Sequence, residues 1–424
     1  MPTESAFSVL AQRRFWPLFV AQFTGAMNDN LFKNALIILI VFRIGGDKPQ
    51  VLASLAGGLF ILPFFLFSAL AGRIADRFER ARLIQTIKLA EIFLTLLAIA
   101  GLWLESPPLL LAALFLLGCQ AACFGPVKYA VLPDLLKSES LLTGNALIEG
   151  STFLAILLGT LAGGLLVLRP DGLMLIGLAM MGLAGAGYAA SLHLPHIPPA
   201  DPDLRLSWNI AALSWRVVAD LKHQPRLQGA VLGISWFWFV GATVLTQLPA
   251  FVKQVLGADE QAVSLMLTLF AIGVACGALL CAAVLKRWRG KPLTPVLLAA
   301  LVLALVLADL GWISGGKAPT DAVVSIHVFL RSPNAWRILA DLLTGAICGG
   351  FFAVPLYTLL QSHSPTHKRA ETLAANNIAN SLFMTVSALG GAALLKHGLA
   401  LPDLFLLTAL LTGGMTAILR RFLV

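Results

Sequence analysis

The stretch MNDNLFKNA, Met27 to Ala35, sets an aspartate and a lysine inside a run that is otherwise apolar or neutral. Apart from Asp29 and Lys33, no ionisable residue occurs between Phe15 and Phe42. A run of that length crosses a bilayer, which takes roughly 20 apolar residues, so both charges fall near the midplane. An Asp or Lys at that depth costs about 2.5–3.5 kcal/mol on insertion scales, and such residues face a partner or a water-lined cavity. Gln22, Asp29 and Lys33 share one helical stripe, with Asn30 beside them. Asp29 can hold an ammonium or gate by pairing with a base. Lys33, about 6 Å further along at 1.5 Å per residue, can hold a phosphate as a point charge. The plainer alternative is an internal Asp29–Lys33 ion pair that only lets the helix insert.

Other polar residues interrupt later apolar runs. Lys128 and Tyr129 follow Pro126, and Lys128 is close enough to a span end for its stem to snorkel. Glu149 is a candidate partner for Lys128 or Lys33. Asn145 and Glu149 are spaced i, i+4, as are Asn376 and Asn380, so each pair lies on one helix face. Asparagines also join membrane helices to one another. Trp236, with Trp238, Phe239, Phe351 and Phe352, offers an apolar cavity wall or a lipid-facing surface. Glu91 and Asp341 are further intramembrane acids with no specific partner in the sequence. No His, Cys or Ser constellation has catalytic or metal-ligating spacing, and no glycine loop suits a nucleotide phosphate. The expectation is therefore a protein that is not an enzyme and carries no cofactor or metal. Cys119, Cys123, Cys276, Cys281 and Cys348 read as small packing residues.

The elements that position these groups follow from composition. Of 424 residues 58% are hydrophobic and 12% charged, against about 25% charged in soluble domains. Spanning-length apolar segments recur at 15–43, 50–73, 83–104, 108–136, 143–168, 172–193, 227–252, 261–285, 293–314, 335–361, 370–395 and 402–420, numbered here spans 1 to 12. This is an all-α membrane protein of twelve transmembrane helices; the long unbroken runs do not fit a β-barrel. The net charge of +9 raises nucleic acid as a partner, but its placement excludes it. Arg13, Arg14, Arg73, Arg77, Arg80, Arg82, Lys286, Arg287, Arg289, Lys291, Lys368, Arg369, Arg420 and Arg421 all fall on one side, opposite loops around Glu105, Asp171, Asp259 and Glu260. The positive-inside rule then puts both termini in the cytoplasm and the basic side against anionic lipid. The first apolar run is too long for a signal peptide and is expected to be retained as span 1.

The Pro- and Asp-rich stretch LPHIPPADPDLRLSWN, continuing to Arg226, reads as a cytoplasmic linker, 194–226, between six-helix bundles at 1–193 and 227–424. Weak echoes relate the halves: GRIADRFERAR after span 2 and LKRWRGK after span 8, GCQAACFGPVKY and GAICGGFFAVPLY in spans 4 and 10, GNALIEGST and AANNIANSL in spans 5 and 11. Such a parallel repeat is the plan of the major facilitator superfamily. Gly72, Asp76, Arg77 and Arg80 resemble its cytoplasmic signature, which implies a latch on the inner gate through charge pairing and helix-dipole contact.

Several blocks resemble the lysophospholipid transporter family within that superfamily: FTGAMNDNLFKNALIILI, FGPVKYAVLPDLL, TGNALIEGSTFLAILLGTLAGG, SWFWFVGATVLTQLPAFVKQVLGADE, GGFFAVPLYTLLQ and RAETLAANNIANSLF. The similarity is greatest to the transporter part of fused proteins that continue into an acyltransferase and an acyl-carrier-protein ligase, although this chain ends at RRFLV with nothing resembling an acyltransferase after span 12. Some stand-alone relatives carry an Arg near the place of Gln247. The resemblance implies a monomeric flippase in the bacterial inner membrane. It would carry lysophosphatidylethanolamine-like lipids from the outer to the inner leaflet, by alternating access, for reacylation by separate acyltransferase and ligase partners. A facilitator-type exporter or nutrient carrier with Asp29 as proton site, and a docking module that presents lipid without transport, are the competing readings.

Overall fold

The computed structural model describes residues 5–44, 49–288, 293–315 and 323–423. Arg289 and Lys291, expected to anchor the loop after span 8, lie outside them. Among the described residues twelve helices are long and apolar enough to cross a membrane: Trp16–Ile44, Leu55–Arg77, Arg80–Trp103, Pro107–Ala130, Ser138–Leu166, Gly172–Ser191, Pro225–Val255, Glu260–Arg287, Thr294–Ser314, Ala335–His363, Thr366–Lys396 and Leu401–Leu423. They match the twelve expected spans in order and keep the same numbers. Helices predominate because in hydrocarbon every backbone N–H and C=O needs an internal partner. Among the described residues the only β contact is one isolated bridge, Ala258 to Val324.

Helix ends follow local chemistry. Glu79 caps span 3 by accepting from the Ala81 and Arg82 amides, and Asp259 caps span 8 through the Ala262 amide. Pro63, Pro126, Pro249 and Pro355 lie inside helices, where each lacks the N–H of a regular turn. Span 7 passes into a π-helical turn, Phe251–Val255, two residues after Pro249.

The chain divides into two compact units, Met1–Leu227 with Leu360–Ser381, and Gln228–Leu359 with Leu382–Val424. In the first unit span 5 lies against span 1 at glycines four residues apart. A Cβ on Gly163 would stand 2.5 Å from the Leu31 carbonyl oxygen, and one on Gly159 2.9 Å from the Leu31 nitrogen. This small-xxx-small contact lets the backbones approach, and Asn34 closes it by donating to the Thr160 carbonyl at 2.7 Å. An apolar cluster including Phe32, Leu36, Leu102, Leu114 and Met180 fills the adjoining interior. In the second unit Gly277 and Gly350 set spans 8 and 10 in similar close contact, and Gly311 does so for spans 9 and 12.

The linker is more ordered than its composition suggests. Ile210–Asp220 is helical, capped by Asn209, with Leu213 and Val217 buried. The i, i+4 spacing of Leu213, Val217 and Leu221 supplies an apolar face, which the Pro- and Asp-rich opening of the linker masks in a reading of composition.

Candidate functional site

Span 1 distributes its polar side chains in several directions. Gln22 donates to Ser151 Oγ at 2.5 Å and accepts from Thr152 Oγ1 at 3.1 Å, so it is engaged with span 5. Asn28 donates to Thr95 Oγ1 on span 3 at 3.1 Å. Asn30 donates to the Ala26 carbonyl and accepts from Lys33 Nζ at 2.9 Å. Lys33 therefore pairs with a neutral amide three residues back, and its ammonium also sits 5.3 Å from the Phe60 ring centroid. The internal Asp29–Lys33 ion pair is not formed.

Asp29 is 8% exposed, and its Oδ1 is buried without a hydrogen-bond partner. Lys33, Lys88, Lys128 and Glu91 are all within electrostatic range of it. A desolvated carboxylate oxygen with no donor is costly. This oxygen can receive a proton, a cation or a donor group from a bound molecule.

Beside it lies a charge cluster that sequence reasoning missed. Lys88 and Glu91, both fully buried, pair at 2.6 Å, and Gln120 donates to the same Glu91 oxygen at 2.9 Å. The Lys88 ammonium is 5.1 Å from the Phe124 ring centroid. A Cβ on Gly25 would stand 2.5 Å from that nitrogen and one on Gly187 3.4 Å, so the absence of side chains on spans 1 and 6 makes room for it. The signal was the i, i+3 pair in KLAE, the spacing of helix-surface ion pairs. Glu91, which lacked a partner in the sequence, thus finds two.

Spans 4 and 5 hold a second polar group. Tyr129 OH donates to Glu149 Oε1, and the Lys128 ammonium lies 4.8 Å from the Tyr129 ring centroid. Glu149 is thus engaged by a tyrosine; no ion pair joins it to Lys128 or Lys33, although Lys128 is within electrostatic range. Asn145 makes reciprocal amide bonds with Gln361, at 2.7 and 3.0 Å. Gln361 was not singled out in the sequence. Asn376 is buried with Oδ1 unpartnered, as is Asn377 Nδ2; Asn380 is also buried. A Cβ on Gly125 would stand 2.5 Å from Asn377 Nδ2. All these residues belong to the first unit.

Trp236 belongs to the second unit. It is 7% exposed, donates to Thr412 Oγ1 at 3.2 Å and stacks on Phe239 with centroids 4.7 Å apart. Trp238 donates to Tyr357 OH at 3.2 Å. Asp341, also without a partner in the sequence, has Asp309 and Arg337 as its electrostatic neighbours.

The loop after span 2 forms a compact network in the first unit. Asp76, fully buried, accepts from the Ala370 and Glu371 amides at 3.1 and 3.0 Å, so a carboxylate caps the positive end of span 11. Arg80 pairs with Asp76 at 2.9 Å and with Asp134 at 2.8 Å. A Cβ on Gly72 would stand 2.7 Å from the Ala370 carbonyl oxygen, so only glycine permits this approach. Arg77 lies instead with its guanidinium carbon 5.4 Å from the Phe78 ring centroid. The linker is tied to the same loop: the Arg80 amide donates to the Ile197 carbonyl, the Ile197 amide to Glu79, and the Ala200 and Asp201 amides to the Asp76 carbonyl.

Comparison with known proteins bears on what this arrangement serves. The family model described as Major Facilitator Superfamily matches residues 18–418. A protein named lysophospholipid transporter in Serratia proteamaculans is 26% identical over 389 residues, covering 90% of this chain and 89% of that one. One of the same name in Salmonella newport is 28% identical, covering 87% and 84%. Among solved structures, the human organic anion transporter MFSD10 superposes with a TM-score of 0.74 at 15% identity, covering 97% of this chain and 99% of that one. The fucose:proton symporter of E. coli gives 0.69 at 16% identity, covering 97% and 98%.

Proposed function

Since the chain belongs to the major facilitator superfamily, whose transporters are not enzymes, we propose that it moves single-chain phospholipids of the lysophosphatidylethanolamine type across the bacterial inner membrane. The direction is from the outer to the inner leaflet, by alternating access of six-helix bundles at 1–193 and 227–424, and reacylation by a separate acyltransferase and ligase follows. Both termini and the linker face the cytoplasm in this reading.

The observation that carries it is the set of groups around Asp29. A zwitterionic headgroup needs an acceptor for its ammonium and a cation for its phosphate, close together. Asp29 Oδ1 has no donor, and Lys33 and Lys128 are the bases in range that form no ion pair among the described residues. Lys88 is already held by Glu91. The ammonium of the cargo satisfies Asp29, and the phosphate is drawn to Lys33 or Lys128 as a point charge. Capping of span 11 by Asp76 supports the role of the loop after span 2 as a latch. The names of the relatives support the lipid class.

Reconstituted vesicles containing only this protein test the reading. Lysophosphatidylethanolamine should move across the bilayer, and its diacyl counterpart should move at least tenfold more slowly. Equal flux of the two lipids overturns the cargo assignment. Flux of soluble solutes alone favours a nutrient carrier, and no flux of any kind favours a docking module.

A further inference from the structure

On the face of the first unit that carries the linker, a cavity of about 290 Å³ is lined by Arg14, Arg80, Asp134, Thr366 and Arg369 together with residues 195–200. Three guanidinium groups meet one carboxylate there, and that carboxylate is already shared. Asp134 accepts from Arg80 at 2.8 Å and from Arg369 at 3.4 Å, while Arg80 also holds Asp76.

One arginine here is buried and short of an acceptor, and a second is exposed and unpaired. Arg14 is exposed and has no hydrogen bond or ion pair among the described residues, so it is free to take an anion. Arg369 is 8% exposed, yet its Nε has no partner, and its other contact, to the Ala130 carbonyl, is 3.5 Å long. A buried charged donor left unmet, as at Arg369 Nε, is unfavourable, and with Arg14 beside the same cavity the group that would meet it is an anion. The linker contributes few backbone donors: Pro195, Pro198 and Pro199 have no N–H, and the Ile197 amide is taken by Glu79. Recognition therefore rests on guanidinium forks, which suit the several oxygens of a phosphate better than a single neutral acceptor.

We propose that this cavity binds a phosphate group, held by Arg14 and Arg369. Two sources supply that chemistry: the headgroup of an anionic lipid, since Arg14 lies two residues before span 1 begins at Trp16, and free inorganic phosphate. Occupancy joins the start of span 1, the turn after span 4, the start of span 11 and the linker around one anion. It thereby stabilises the latched arrangement of the first unit, independently of which cargo the transporter carries.

The full chain in phosphatidylcholine nanodiscs is titrated with radiolabelled inorganic phosphate at constant ionic strength. In a parallel arm, phosphatidylglycerol is mixed into the nanodisc and the lipid retained after delipidation is counted by mass spectrometry. Saturable binding is expected in at least one arm. Arg14→Gln should weaken it about tenfold, the loss expected for one charge-assisted contact, with no change in the unfolding midpoint measured without phosphate. Binding only in the first arm assigns the site to free phosphate, and binding only in the second to the lipid headgroup. Absence of saturable binding in both arms, or binding that survives both Arg14→Gln and Arg369→Gln unchanged, overturns the proposal.

Discussion

The two compact units solve the problem of polar groups in a membrane differently. The first buries charge: Asp29, Lys88 and Glu91 lie within its helices, and Glu149 is 1% exposed. The second relies mainly on neutral pairs, Trp236 with Thr412, Trp238 with Tyr357 and Thr243 with Ser387. Its charged group joins Asp341, one oxygen of which is buried without a partner, to Asp309 and Arg337, which are partly exposed at 32% and 55%. Neutral hydrogen bonds between membrane helices contribute about 0.6 kcal/mol each on average, whereas a buried charge stripped of its partner costs several. The first unit is therefore where single substitutions should have the larger consequences.

The largest effect is expected at Asp29. Asp29→Asn keeps the shape of the side chain but removes the charge that the proposed ammonium contact needs, and lysolipid flux should fall at least tenfold with expression intact. Lys33→Met should also reduce flux. Because Lys33 pairs with Asn30 rather than Asp29, the double substitution should not restore transport. A double variant that transports at the wild-type rate would falsify the functional assignment of this stretch.

The Lys88–Glu91 pair predicts a loss of stability instead. Removing one member, as in Lys88→Met, leaves Glu91 as an uncompensated buried charge and should cost about 3–5 kcal/mol, read as a lowered unfolding midpoint in detergent. Replacing both, Lys88→Met with Glu91→Met, should recover most of that loss. Failure of the double variant to recover would mean that Gln120 or a neighbouring helix depends on the pair itself.

Third in size is the latch. In Asp76→Asn the ion pair with Arg80 is lost and one of the two capping acceptors at Ala370 and Glu371 becomes a donor. Arg80 keeps its pair with Asp134, so the loss should be nearer that of a cap, about 1 kcal/mol, and cysteine labelling from the linker face should speed up accordingly. An unchanged labelling rate would show that Gly72 packing and the linker hydrogen bonds suffice to hold this network.

The contrast between the units was partly visible beforehand. The twelve spans were legible because a bilayer demands uninterrupted apolar runs, and that constraint acts on composition alone. The capping of span 11 by Asp76 was foreshadowed by a short signature in which one acid stands among bases. Partnerships across helices were not legible. Asn145 and Gln361 are 216 residues apart, and nothing in either segment names the other. Lys88 escaped notice because hydropathy averaged over a span tolerates one lysine, although it sits about 12 Å into span 3 at 1.5 Å per residue. Even within span 1 the choice of Asn30 over Asp29 by Lys33 was hidden, since i−3 and i−4 neighbours are both within reach on a helix.

The smallest expected effect lies in the second unit and provides the control on the whole contrast. Thr243 and Ser387, each 4% exposed, share a hydrogen bond at 2.7 Å. Thr243→Val keeps the side-chain volume and removes the hydroxyl, so Ser387 loses that partner. Removal of one partner of a neutral pair costs about 1–3 kcal/mol where the other is left unsatisfied, but a serine on a helix can turn back to its own backbone carbonyl. The net loss should therefore be nearer the 0.6 kcal/mol average for such bonds in membranes, and flux should stay within about twofold of wild type. Adding Ser387→Ala should bring stability back toward the starting value, because no hydroxyl then lacks a partner. A collapse of flux in Thr243→Val at an unchanged unfolding midpoint would break the comparison. It would mean that this neutral pair, and not only the charges of the first unit, contributes to handling the cargo.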